Sequence, residues 1–175
     1  MTTRLKRKLP RLERHRYQGH AVVFWTNTLE QRARGWLTPT FQATFRELML
    51  HAAARERLYC PAYCLMPDHL HLVWMGMCRE SDQLNAMKFL RTRLEPALGA
   101  GSAWQHQPHD HVLREEERKR NAFARFCFYT LANPMRAGLL ATDVAADVRR
   151  RISPCRRPVH LLTSVATARW GLWCG

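Results

Sequence analysis

The chain has 175 residues, with 28 Lys and Arg against 14 Asp and Glu, a formal net charge of +14. That length suits one domain with short terminal extensions and is enough to bury a core. A composition with 46% hydrophobic residues excludes general disorder, and no apolar run reaches the roughly 18 residues that a membrane span needs, so no membrane partner is expected.

Residues 1–20 hold Arg4, Lys6, Arg7, Lys8, Arg11, Arg14 and Arg16 against Glu13 alone. Residues 1–19 read as a basic arm. Val and aromatic residues over 20–28 predict a strand, and residues 32–39 break the pattern. From 40 to 58 apolar side chains recur at Phe41, Phe45, Leu48 and Ala52, the spacing of an amphipathic helix, with Thr38 or Thr40 as N-cap. Residues 59–66 and 69–77 are short apolar runs on either side of Pro67-Asp68, which predicts neighbouring strands joined by a tight turn, with Pro61 favouring an edge position. Leu84, Met87, Leu90 and Leu94 place a second helix over 81–98, capped by Ser81.

A glycine-containing loop leads to a short strand at 110–114. Residues 115–131 then form a helix whose three opening acids suit the positive end of its dipole, and Asn133-Pro134 is expected to kink or end it. Strand, helix, strand, strand, helix, strand, helix predicts an α+β domain over 20–140 with a mainly antiparallel sheet. Residues 141–175 form a second basic segment, with six Arg against Asp143 and Asp147. The two terminal segments are the parts expected to be least ordered.

The six cysteines are scattered and the opening residues carry no apolar leader, so free thiols in a reducing cytoplasm are expected. Cys60 and Cys64 lack the second ligand pair of a zinc site. Twice as many bases as acids, concentrated at the two ends, point to a polyanionic partner, and nucleic acid is the commonest.

Chemistry concentrates in two places. Alternation along the strand at 69–77 puts His69 and His71 on one face and Leu70 and Leu72 on the other. Two imidazoles on a buried strand form half of a metal site, although two surface histidines would read the same way. His109 and His111 repeat the spacing at a loop edge. In the last helix, Tyr129 and Asn133 are four apart and share a face, with Arg136 beyond. A tyrosine in so aromatic a helix also reads as core with its hydroxyl satisfied.

Taken together, MPDHLHLVW over 66–74 and Y-x3-NPMRAGLL over 129–140 resemble the REP-associated tyrosine transposases, HUH single-tyrosine enzymes acting on single-stranded DNA. The strand opening His20-Ala21-Val22-Val23, Lys88, Trp104-Gln105 and the DHVLR run at 110–114 extend the likeness over residues 15–140. It implies a ferredoxin-like HUH domain with the H-x-H motif on a core strand. It also implies that His69, His71 and Asn133 hold a divalent metal, Mg or Mn, and that Tyr129 is the nucleophile.

The activity so implied is metal-dependent cleavage and strand transfer at palindromic hairpins through a 5′-phosphotyrosine, by a monomer or homodimer on single-stranded or hairpin DNA in a bacterial, nucleoid-associated setting. The alternative is a domesticated hairpin-binding protein of the same fold that does no chemistry. Phosphate contacts are expected from Arg4, Lys6, Arg7, Lys8, Arg11, Arg14, Arg16, Lys88, Arg91, Arg93 and Arg136. Trp104, Trp74 and Phe24 are candidates for base stacking, or else core. Asp68 stands where the family more often has Asn, which makes it either a third metal ligand or a turn residue; strand alternation, which directs it away from the histidine face, favours the turn. Met135 replaces the usual Val, and residues 149–175 match nothing expected.

Overall fold

The structure, a computed structural model, describes residues 11–119 and 121–140. Arg4, Lys6, Arg7, Lys8 and the basic segment at 141–175 lie outside the described residues. The elements in order are β1 (Val22–Thr28), α1 (Pro39–Arg55), β2 (Leu58–Met66), β3 (His69–Gly76), α2 (Gln83–Leu94), β4 (His109–Val112), α3 (Glu115–Lys119) and α4 (Ala122–Arg136). The four described strands form one sheet in the order β2-β3-β1-β4, each pair antiparallel. Each crossover, β1–α1–β2 and β3–α2–β4, skips one strand position, the ferredoxin-like arrangement.

The sheet has a core on each face. Val23, Trp25, Leu70, Leu72 and Trp74 meet Phe41, Phe45 and Ala52 of α1 and Met87, Leu90 and Leu94 of α2. On the other face Val22, Phe24, Ala62 and Val73 meet Ala122 and Leu131 of α4. Trp25 and Trp74 are fully buried, and burial of one large apolar side chain contributes roughly 1.5–3 kcal/mol. Gln83 is buried without penalty because it accepts from Trp25 Nε1 at 3.1 Å and donates to the Ala21 carbonyl at 2.7 Å. That bond set ties the start of α2 to β1. Gly76 is required by close approach: a Cβ there would lie 1.8 Å from the Gly19 carbonyl oxygen.

Local chemistry decides the helix ends. Thr38, not Thr40, caps α1, accepting from Phe41 N at 3.1 Å. The cap of α2 is Asp82 rather than Ser81, accepting from Asn85 N at 3.0 Å. Ser81 instead donates to the Arg57 carbonyl at 2.7 Å. The expected α-helix tail at 95–98 is 3-10. Asn121, with φ of 57°, divides the helix expected at 115–131 into α3 and α4.

Contrary to expectation, α4 runs through Pro134 to Arg136. A proline forfeits one backbone bond. Here the helix ends at Arg136 with Ala137 as its C-cap, and beyond it Gly138 at φ 66° donates to the Met135 carbonyl and Leu139 to that of Pro134, a Schellman closure.

Part of the stretch expected as a basic arm, residues 11–19, is among the described residues and packs on the domain. Residues Arg14–Tyr17 form a 3-10 turn, and Tyr17 is fully buried and donates to Asp110 Oδ2 at 2.5 Å. The folded part therefore includes residues 11–19.

Candidate active site on the H-x-H strand

Alternation along β3 does what its residues predict: Leu70 and Leu72 enter the α1–α2 core while His69 and His71 face α4. The two Nε2 atoms meet at 3.1 Å. Their Nδ1 atoms are engaged elsewhere, His69 with Asp68 Oδ1 at 2.6 Å and His71 with Thr26 Oγ1 at 2.9 Å. Thr26 reaches His71 because β1 and β3 are neighbours in register.

His71 is buried and stacks on Phe24 with ring centroids 5.1 Å apart. Burial, reinforced by the neighbouring His69, pushes its pKa down to about 3, so the ring is neutral and offers a lone pair. Asp68 is a turn residue, as expected, but its side chain turns back onto His69 and pairs with Arg32 at 3.0 Å. Burial alone would raise its pKa; His69 and Arg32 outweigh this and hold it below the usual carboxylate range.

Tyr129 lies on the exposed side of α4, 38% accessible. Its ring centroid is 6.0 Å from that of His71 and 5.9 Å from that of Phe24. It is not a core tyrosine. Arg136 extends over the ring, its Cζ 4.7 Å from the centroid, and Asn133 donates its amide to the Tyr129 carbonyl at 3.4 Å. The fold thus brings His69, His71, Tyr129 and Arg136 together from β3 and α4. Two imidazoles with converging Nε2 atoms and occupied Nδ1 atoms fit a divalent cation. Among the described residues no three His, Cys, Asp or Glu side chains group as a metal site, so the centre would rely on a different third donor, such as the Asn133 amide, or on oxygens of the substrate.

The expected phosphate contacts separate. Arg91 is spent inside the fold, donating to Asn27 Oδ1 at 3.0 Å and to the Gln105 carbonyl at 2.5 Å, with burial pushing it down to about 10. Arg14 pairs with Asp82 at 2.7 Å and Arg11 with Asp110 at 3.4 Å. Arg16, Lys88 and Arg93 are exposed; the last two ride on α2, across the sheet from Tyr129. Trp74, Trp104 and Phe24 are buried, which removes them as free stacking platforms. His111 pairs with Glu117 at 3.0 Å and lies against Phe126 at 5.1 Å, while His109 is exposed.

Sequence reasoning missed Thr26 and Arg32. Thr26 carried a signal, being on the same face of its strand as Phe24, but that signal becomes readable only once β1 is known to adjoin β3.

The strand order, the cores on both faces and the H-x-H strand facing the last helix define an α+β domain of ferredoxin-like topology. Among solved structures, the chain is similar to a REP-associated tyrosine transposase bound to a REP hairpin, with a TM-score of 0.63 and 19% identity, covering 94% of this chain and 98% of that one. At this identity the likeness establishes the fold. No family model and no curated protein matches the sequence. Among the described residues, no helix is long and apolar enough to cross a membrane.

Proposed function

We propose that this chain is a DNA strand transferase that cuts single-stranded DNA at palindromic hairpin repeats, with Tyr129 as nucleophile and His69, His71 and Asn133 holding a Mg or Mn ion. One observation carries the reading: an accessible tyrosine stands against a pair of imidazoles whose Nε2 atoms converge at 3.1 Å. The hairpin carried by the solved transposase and the +14 charge support a DNA substrate.

The cation, when bound, neutralises charge on the phosphate oxygens as the transition state forms. The protein's own part is positional. The Tyr129 ring lies against that of His71, and Arg136 adds a permanent positive charge over its face. The phenol oxygen attacks phosphorus and gives up its proton to water, the bond to the 3′-oxygen breaks, and that oxygen takes up a proton from water. The product is a 5′-phosphotyrosine and a free 3′-hydroxyl. The retained ester bond lets a second 3′-hydroxyl reverse the step without ATP.

The test is incubation with labelled single-stranded hairpins bearing palindromic repeats from the source genome, with and without Mn, resolved on a denaturing gel. A covalent band that needs the metal and is lost in Tyr129→Phe and in His69→Ala/His71→Ala is expected. Hairpin binding with no covalent band for any repeat, in wild type as in the variants, would favour a non-cutting binding protein.

A further inference from the structure

We infer that Asp68 and Arg32 are positioning residues for His69: a carboxylate clamped by an arginine that fixes the tautomer and aim of the imidazole and so sets how tightly the histidine pair holds its cation. This rests on the reading of His69 and His71 as cation ligands.

The two oxygens of Asp68 are divided between two partners, Oδ1 at 2.6 Å from His69 Nδ1 and Oδ2 at 3.0 Å from Arg32 Nη1. A carboxylate only accepts, so the hydrogen in that contact sits on His69 Nδ1, which assigns Nε2, the atom that faces His71, to a cation. The arginine side of the clamp carries backbone strain. Gln31 and Arg32 are consecutive residues at φ 53° and 55°, a region that L side chains rarely adopt and that persists where surrounding structure enforces it. The turn itself does not depend on the Asp68 side chain. Its backbone is held by Leu29 N donating to the Asp68 carbonyl at 3.0 Å and Trp36 Nε1 donating to the Pro67 carbonyl at 2.7 Å. The carboxylate is therefore free to serve His69. An amide at the same place would accept the same hydrogen bond without the charge that makes an imidazole a stronger ligand.

Mn binding to the full chain without DNA, followed by the loss of the free-Mn electron paramagnetic resonance signal, tests this, with melting curves recorded in metal-free buffer. Asp68→Ala is expected to weaken Mn binding roughly 10–100-fold, and Asp68→Asn to restore part of that loss. Arg32→Ala should weaken binding in the wild-type background and add nothing in the Asp68→Ala background, because Arg32 acts only through Asp68. Folding of all variants is expected to stay close to wild type, since the turn keeps its backbone bonds. Mn affinity in Asp68→Ala equal to that of a wild type that binds Mn would overturn the clamp alone. A wild type that binds no Mn would instead overturn the cation site on which the clamp depends.

Discussion

The guanidinium of Arg136 lies over the ring of Tyr129, Cζ to centroid 4.7 Å, although the two residues are two turns apart on α4. Helical side chains lean toward the N-terminus, so Arg136 reaches back along the helix. Its reach depends on α4 continuing through Pro134, since a helix that ended at Asn133 would leave Arg136 without a fixed direction. The proline and the arginine thus belong to one structural device, closed by Gly138.

Arg136→Ala is expected to slow strand cleavage by roughly tenfold or more, the scale of losing one charge-assisted contact, and Arg136→Lys to recover only part, because lysine lacks the planar guanidinium that stacks on the ring. Single-turnover rates on denaturing gels measure this. Equal rates for wild type and Arg136→Ala would show that the stacked cation has no part in the chemistry.

Lys88 and Arg93 lie on α2, on the opposite side of the sheet from Tyr129. The double variant Lys88→Ala/Arg93→Ala should weaken hairpin binding and make the slope of log affinity against log salt shallower by about one to two. Cleavage by the saturated complex should be unchanged. A fall in the saturated rate with unaltered affinity would contradict this placement.

Asp82 links α2 to the residues preceding β1. It caps Asn85 N and receives Gln18 Nε2 at 2.9 Å and Arg14 at 2.7 Å. Burial opposes its charge, yet the Gln18, Asn85 and Arg14 contacts prevail and hold the carboxyl below its usual range. A depressed carboxylate stabilises the fold above its unfolded pKa of about 3.9, and that contribution is lost as pH falls below this value through the folded pKa. Asp82→Asn retains a cap but should flatten the acid limb of a stability-against-pH curve. Asp82→Ala should cost about 1–2 kcal/mol at neutral pH from the cap alone. Chemical denaturation at several pH values would reveal either effect.

Gly76→Ala should prevent stable folding or cost at least about 3 kcal/mol, because the new methyl would meet the Gly19 backbone, which cannot rotate away as a side chain would. A melting temperature near wild type would mean that the Gly19 segment can shift.

Much of the site was readable from residues alone. The facing of His69 and His71 follows from the two-residue period of a strand, and the separation of Tyr129 and Asn133 from the turn of a helix. Other features were not. Asp68 read as a turn residue directed away from the histidines, yet its side chain folds back onto His69. Arg91 read as a phosphate contact, but Asn27 and the Gln105 carbonyl each hold one of its Nη groups within the fold. Ser81 and Asp82 are both good caps by type, and only the position of the Arg57 carbonyl assigns Ser81 to another task.

The sequence by itself determined the order of elements, the amphipathic faces and the chemical types that gather near the H-x-H strand, because these depend on periodicities within a few residues. Only the tertiary structure decided that β1 lies between β3 and β4, that α4 covers the histidine face with Tyr129 exposed, and that Arg32 meets Asp68 from 36 residues away. Those relationships are set by which surfaces bury together and which partner satisfies each polar group, and both are properties of distant segments brought into contact.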